Sequence, residues 1–216
     1  LAFHRTTFRD VLLQFKYGGA VFGSTFGMNL YRNANIIILK QFVSDDLVGI
    51  YSAAEKVIKG FQSLISPAAQ ALFPHLSLRF KEQPVKNNMR LLRKISLPFT
   101  IVVAVVTIGV YIFAPIISDI LCGKDFVACV PLIRIMTLVI LFGEINYLVG
   151  IVGLINMDGQ AQFFRSVLIT GIFSVAFMLV CAPHWGATAA AWAMSLSEIL
   201  LFVLCLFSLY RINKRS

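Results

Sequence analysis

Charge is what this sequence has least of. Asp, Glu, Lys and Arg make up 13% of its 216 residues and hydrophobic residues 58%, where an ordinary soluble domain has about 25% charged residues. Mean hydropathy is +0.83. Ile95–Ser118 holds no charge over 24 residues, and Ser166–Ser197 holds no Asp, Glu, Lys or Arg over 32. A membrane-crossing helix needs roughly 20 apolar residues, so the first run is one span and the second is too long for one. A soluble domain is excluded, and the composition is that of an integral membrane protein. Acidic residues are the scarcer sign, giving a net charge of +9. In a soluble protein that excess would point to nucleic acid. Here the basic residues sit at the ends of apolar runs, where membrane topology explains them, and no nucleic-acid partner is expected.

Other absences narrow the function. There is no phosphate-binding loop, no paired Asp cluster for Mg²⁺, and no Ser/His/Asp or Cys/His arrangement, so no enzyme and no cofactor are expected. The four cysteines, Cys122, Cys129, Cys181 and Cys205, lack CxxC or metal-ligand spacing. Cys122 and Cys129 share one short connection and could pair across it; small apolar fillers with inert thiols is the better reading. His4, His75 and His184 lie near interfaces without a second ligand at useful spacing, so no metal is assigned. No low-complexity segment, soluble domain or internal repeat is visible. The chain opens on Leu1 with His4, Arg5 and Arg9 ahead of any apolar run, without a signal-peptide layout. That start reads as a cut entering a longer protein at a cytoplasmic connection.

Six spans fit: about 18–39, 47–78, 95–117, 131–155, 164–182 and 186–210. The last two are separated at Pro183-His184-Trp185-Gly186, because Pro and Gly punctuate helices. Pro67 is expected to kink the second span; Pro98, Pro115 and Pro131 read as boundary or first-turn prolines. Lys and Arg orient the spans, since cytoplasmic connections carry the excess. Arg5, Arg9 and Lys16 precede the first span. Arg79, Lys81, Lys86, Arg90, Arg93 and Lys94 face only Glu82 between the second and third, and Arg211, Lys214 and Arg215 close the chain. The alternate connections are poor in them. Both ends are therefore expected in the cytoplasm, as an even number of spans requires.

Ionisable residues within spans are costly, about 2.5–3.5 kcal/mol at the bilayer centre on insertion scales, and so face a partner or a cavity. On the second span Tyr51, Ser52, Glu55, Lys59, Gln62, Ser66 and Gln70 fall within a sector of roughly 100°. Glu55 and Lys59 are spaced i, i+4 and suit an ion pair, with Lys56 left over. On the first span Asn29 and Arg32 share a stripe with Thr25, with Asn33 beside it and Asn35 across from it. Arg134, one turn into the fourth span, reads as snorkelling to the interface. Glu144 lies mid-span beside Asn146 and Tyr147. Glu198 follows GATAAAWAMS, whose small residues suit close helix packing. The basic and amide groups along two adjacent spans suggest a cavity for a polar, anionic ligand.

The run NANIIILKQFVSDDLVGIYSAAEKVIKGFQSLISPAAQALFP (33–74), with VGIYSAAEKV within it, FP at 73–74 and HWGATAAAWAMSLSE near the end, resembles bacterial polysaccharide flippases. These are the O-antigen type transporters of the multidrug/oligosaccharidyl-lipid/polysaccharide exporter superfamily. The resemblance implies an all-α membrane protein of 12 helices in two six-helix lobes, of which this chain looks like the C-terminal one, partnered by the N-terminal half. It implies an inner-membrane flippase that moves an undecaprenyl-diphosphate-linked oligosaccharide by alternating access, coupled to an ion gradient. A diphosphate would then be anchored by Arg32 and by Lys56 or Lys59. Asn29, Asn33, Gln62, Ser66 and Gln70 would meet sugar hydroxyls, with Glu55, Glu144 and Glu198 as ion-coupling candidates. Alternatives are a multidrug-type cation exporter, which calls for an acidic, aromatic cavity, and a membrane protein of polysaccharide assembly without transport activity. A glycosyltransferase or polymerase would need a longer periplasmic connection.

Overall fold

The computed structural model describes residues 23, 27, 33–82, 85–123 and 127–215. Every regular element among them is helical. Helix α1 covers residues 33–39, with Gly23 and Gly27 helical upstream. It is followed by α2 (Asp45–Glu82), α3 (Val85–Leu121), α4 (Cys129–Asn146), α5 (Gln160–Trp185) and α6 (Ala187–Arg215). Four stretches are long and apolar enough to cross a membrane: Asn87–Leu121, Cys129–Met157, Gln160–Trp185 and Ala187–Lys214. Helix α2, with 38 residues, is longer than a bilayer requires but is not among them.

The helices extend further than the apolar runs. The basic connection expected between the second and third spans is mostly helix, because α2 continues to Glu82 and α3 begins at Val85. Pro98 and Pro115 are consequently interior to α3, and Pro67 and Pro74 to α2; the boundary reading of Pro98 and Pro115 does not hold. A proline removes one backbone hydrogen bond, which a helix of this length absorbs. Pro131 lies in the first turn of α4, as expected. The break between α5 and α6 falls at Gly186 alone, with Pro183 inside the last turn of α5. Gly186 adopts φ 52°, ψ −130°, a conformation open in practice only to glycine, and so this residue makes the turn.

After Asn146, α4 widens into a π-helical stretch, Tyr147–Leu154, and closes with a short 3₁₀ turn, Ile155–Met157. Asp158 in the left-handed region (φ 59°) ends it, and Gly159 N–H donates to the Leu154 carbonyl at 2.7 Å.

Helix α4 sits at the centre, packed on α2, α3 and α6, and α5 packs on α6. Two apolar cores lie at opposite ends of the bundle. One gathers Leu39, Ile58, Ile133, Met136, Ile140 and Met194; the other gathers Leu76, Leu92, Val152, Phe163, Leu201 and Leu209. The outward side of α3 is a continuous row of exposed Leu97, Ile101, Val105, Ile108, Ile112 and Ile116. A water-soluble monomer rarely exposes so large an apolar patch; hydrocarbon is its natural solvent. All four cysteines are free, and the buried Cys129 thiol donates to the Ile50 carbonyl at 3.3 Å.

Candidate functional site: a polar seam between two apolar cores

The polar stripe read along α2 does not form one wet face. At about 100° per residue it lies on the flank between the side of α2 packed into the bundle and the side left open. Its members divide accordingly. Tyr51 and Glu55 are buried, Gln62 and Ser66 half-buried, and Gln70 exposed. Lys56 lies on the open side with Gly60, Ser63 and Pro67, all exposed.

Near the apolar core that holds Ile58 and Met136, Glu55 and Lys59 pair at 2.8 Å, with side chains 4% and 46% exposed. The carboxylate is thus held inside while the lysine stem carries its ammonium outward. Tyr51, fully buried, directs its hydroxyl at Met194 Sδ, 3.8 Å away. Asn35 is the buried amide of α1 and accepts from the Ser174 hydroxyl at 3.3 Å, while Asn33 is exposed. Asn29 and Arg32 lie outside the described residues. Arg134 stands over the Tyr111 ring, 5.4 Å from its centroid, at the exposed edge of α4.

Midway along the bundle, α2, α4 and α6 bring five polar side chains together between the two cores. Ser66 donates to Glu144 Oε1 at 2.6 Å. Asn146 Nδ2 donates to both the carbonyl and Oε2 of Glu198, each at 2.9 Å. Gln62 Nε2 donates to the Val139 carbonyl at 3.1 Å. Glu144, Asn146 and Glu198 are all buried, Glu198 completely, as its small-residue approach leads one to expect. A cavity of about 160 Å³ opens here, lined among others by Gln62, Ser66, Gly143, Glu144, Asn146 and Tyr147. Asn146 Oδ1 is buried beside it without a hydrogen-bond partner.

Gly143 makes the seam possible. A Cβ there would stand 2.6 Å from Gln62 Nε2, so a side chain would cover the Val139 carbonyl that Gln62 reaches. Gly143 and Asn146 carry the seam as much as the charged residues do. The glycine in LFGEINY, midway along an apolar run, was the available signal for the first. Two carboxylates placed this deep each cost several kcal/mol if ionised and uncompensated. Hydroxyl and amide donors offset that cost in part. Among the described residues no three His, Cys, Asp or Glu side chains are grouped to hold a metal ion.

Comparison with known proteins finds distant similarities. Residues 2–79 match the family described as polysaccharide biosynthesis protein. A Shigella dysenteriae protein named as an O-antigen transporter is 22% identical over 92% of this chain and 49% of its own length. The amylovoran biosynthesis protein AmsL of Erwinia amylovora is 26% identical over 87% of this chain and 48% of its own. An Escherichia coli K12 protein, also named as an O-antigen transporter, is 22% identical over 88% and 45%. No solved structure matches the chain significantly. The chain thus spans about half the length of the curated relatives it matches, and over that half it is similar to two proteins named as O-antigen transporters and to an amylovoran biosynthesis protein.

Proposed function

We propose that the chain is one six-helix lobe of a 12-helix flippase in the bacterial inner membrane, with both ends cytoplasmic. The N-terminal half of the same protein supplies the facing lobe. The transporter carries an undecaprenyl-diphosphate-linked oligosaccharide from the cytoplasmic to the periplasmic leaflet by alternating access. The observation that carries the reading is the open side of α2, where Lys56, Ser63 and Gln70 are exposed and Lys59 half-exposed. Beside it lies a seam holding Glu144 and Glu198. In a chain whose other long helices are apolar, an uncovered basic and amide face suits a ligand with charged phosphates and sugar hydroxyls, and the relatives named as O-antigen transporters support the same cargo.

In this reading Arg32 and Lys56 neutralise the diphosphate as point charges and forked donors. Lys59, which already holds Glu55, contributes field more than contact. Asn29, Asn33, Gln62, Ser66 and Gln70 exchange hydrogen bonds with the sugars. Glu144 and Glu198 take up and release a cation or proton as the lobes rock, and differential affinity for the two states drives the cycle. The test is complementation, in a strain lacking the transporter, by the intact protein carrying Arg32→Ala with Lys56→Ala. Surface polysaccharide should fall while the protein level stays unchanged. Normal polysaccharide in the double variant would exclude the anchoring role.

A further inference from the structure

We infer that a second anionic site, independent of the transported cargo, lies between α5 and α6 at the end of the bundle where Lys and Arg are concentrated. It takes a membrane phospholipid with a phosphate and hydroxyl-bearing headgroup, of the phosphatidylglycerol type. A cleft of about 320 Å³ opens there, lined among others by Gln162, Arg165, Ser166, Phe207, Ser208 and Arg211. That volume lies within the size range of small-ligand sites.

The two arginines face one cleft from different helices. Arg165 lies six residues into α5 and Arg211 five from the end of α6, about 8 Å or less from the helix ends at 1.5 Å per residue. That places both at headgroup depth. Arg211 is held over the Phe207 ring, 4.3 Å from its centroid, so its guanidinium is already oriented. Neither arginine is ion-paired among the described residues. Helix α5 contains no acidic residue, and the acid on α6, Glu198, is ten residues from Ser208 and buried. Among the described residues, the cleft therefore presents two arginines that no carboxylate pairs with.

The remaining lining chooses the headgroup. The Ser166 and Ser208 hydroxyls donate back to the Gln162 and Leu204 carbonyls, each at 2.9 Å. They are spent as donors, which leaves the guanidiniums to bind phosphate. Gln162 Oε1 is a buried acceptor with no partner, and a headgroup hydroxyl would satisfy it. The wall continues toward the membrane centre through Ile169, Ile172, Val203 and Phe207, all at least half exposed, a track on which an acyl chain can lie. Basic pockets between transmembrane helices are a recurrent way of holding anionic lipid headgroups.

Native mass spectrometry of the intact, delipidated protein tests this by titration with phosphatidylglycerol, phosphatidylcholine and phosphatidic acid. Phosphatidylglycerol should bind most tightly. Arg165→Gln and Arg211→Gln should each weaken it about fivefold, the equivalent of about 1 kcal/mol per basic residue at an anionic surface, and leave phosphatidylcholine unchanged. Arg90→Gln, an exposed arginine on α3, should have no effect. Gln162→Leu should narrow the preference for phosphatidylglycerol over phosphatidic acid, which lacks the hydroxyls. If Arg211→Gln loosens α6 by freeing Phe207, Arg165→Gln reads the site alone. Unchanged phosphatidylglycerol binding in Arg165→Gln, equal loss in Arg90→Gln, or competition by glycerol phosphate without acyl chains would each overturn the assignment.

Discussion

Replacing Gly143 by alanine tests whether the seam is built on an absent side chain. In an ordinary helix interior the change stabilises by about 1 kcal/mol, because alanine has less backbone entropy to lose. Here the new Cβ would stand 2.6 Å from Gln62 Nε2. The contact is with the end of a flexible side chain, so Gln62 can rotate away, and the cost is its hydrogen bond to the Val139 carbonyl. That bond is worth about 0.5–1.5 kcal/mol. The two effects nearly cancel, and Gly143→Ala alone should change stability by no more than about 0.5 kcal/mol. With Gln62→Ala already in place there is no amide to displace, and the same substitution should stabilise by about 1 kcal/mol. The double-mutant cycle isolates this coupling. It is read from unfolding of the purified intact protein in detergent, followed by tryptophan fluorescence. Equal stabilisation by alanine in both backgrounds would refute the steric argument.

Three further outcomes are expected. Ser66→Ala removes the donor 2.6 Å from Glu144 and should lower unfolding free energy by about 1–3 kcal/mol in the same assay. Gly186→Ala forces a Cβ into φ 52° and should cost about 1–3 kcal/mol, with unfolding measured against Gly109→Ala, where nothing lies within 4 Å of the added carbon. Spin labels at Ile101, Val105, Ile112 and Ile116, all more than half exposed on α3, should be accessible to dissolved oxygen and shielded from a water-soluble relaxant in reconstituted bilayers.

The apolar runs were legible because hydrocarbon imposes its demand residue by residue: Ile95–Ser118 and Ser166–Ser197 announce their helices in any context. The Glu55–Lys59 pair and the burial of Glu198 were legible for local reasons, i, i+4 spacing and a run of small residues. The meaning of the α2 stripe was not. Periodicity says which residues share a face, but what covers that face depends on α4 and α6, which are distant in sequence. Hence Tyr51, Glu55, Gln62 and Ser66 turn toward the bundle while Lys56 and Gln70 stay outside. Helix ends were hidden for a related reason. Past the bilayer, polar residues are compatible with helix and with loop alike, so the basic stretch around Arg79–Lys94 gave no sign that α2 and α3 continue through most of it.

The claim that the protein is a flippase working through this seam is tested by leaflet transfer in proteoliposomes containing the intact protein and a fluorescent undecaprenyl-diphosphate-linked oligosaccharide placed in one leaflet. Transfer should be rapid with the native protein and lost with Glu144→Gln combined with Glu198→Gln, which keeps the shape of the seam while removing its charge. No transfer by the native protein, or undiminished transfer by the folded double variant, would contradict the claim.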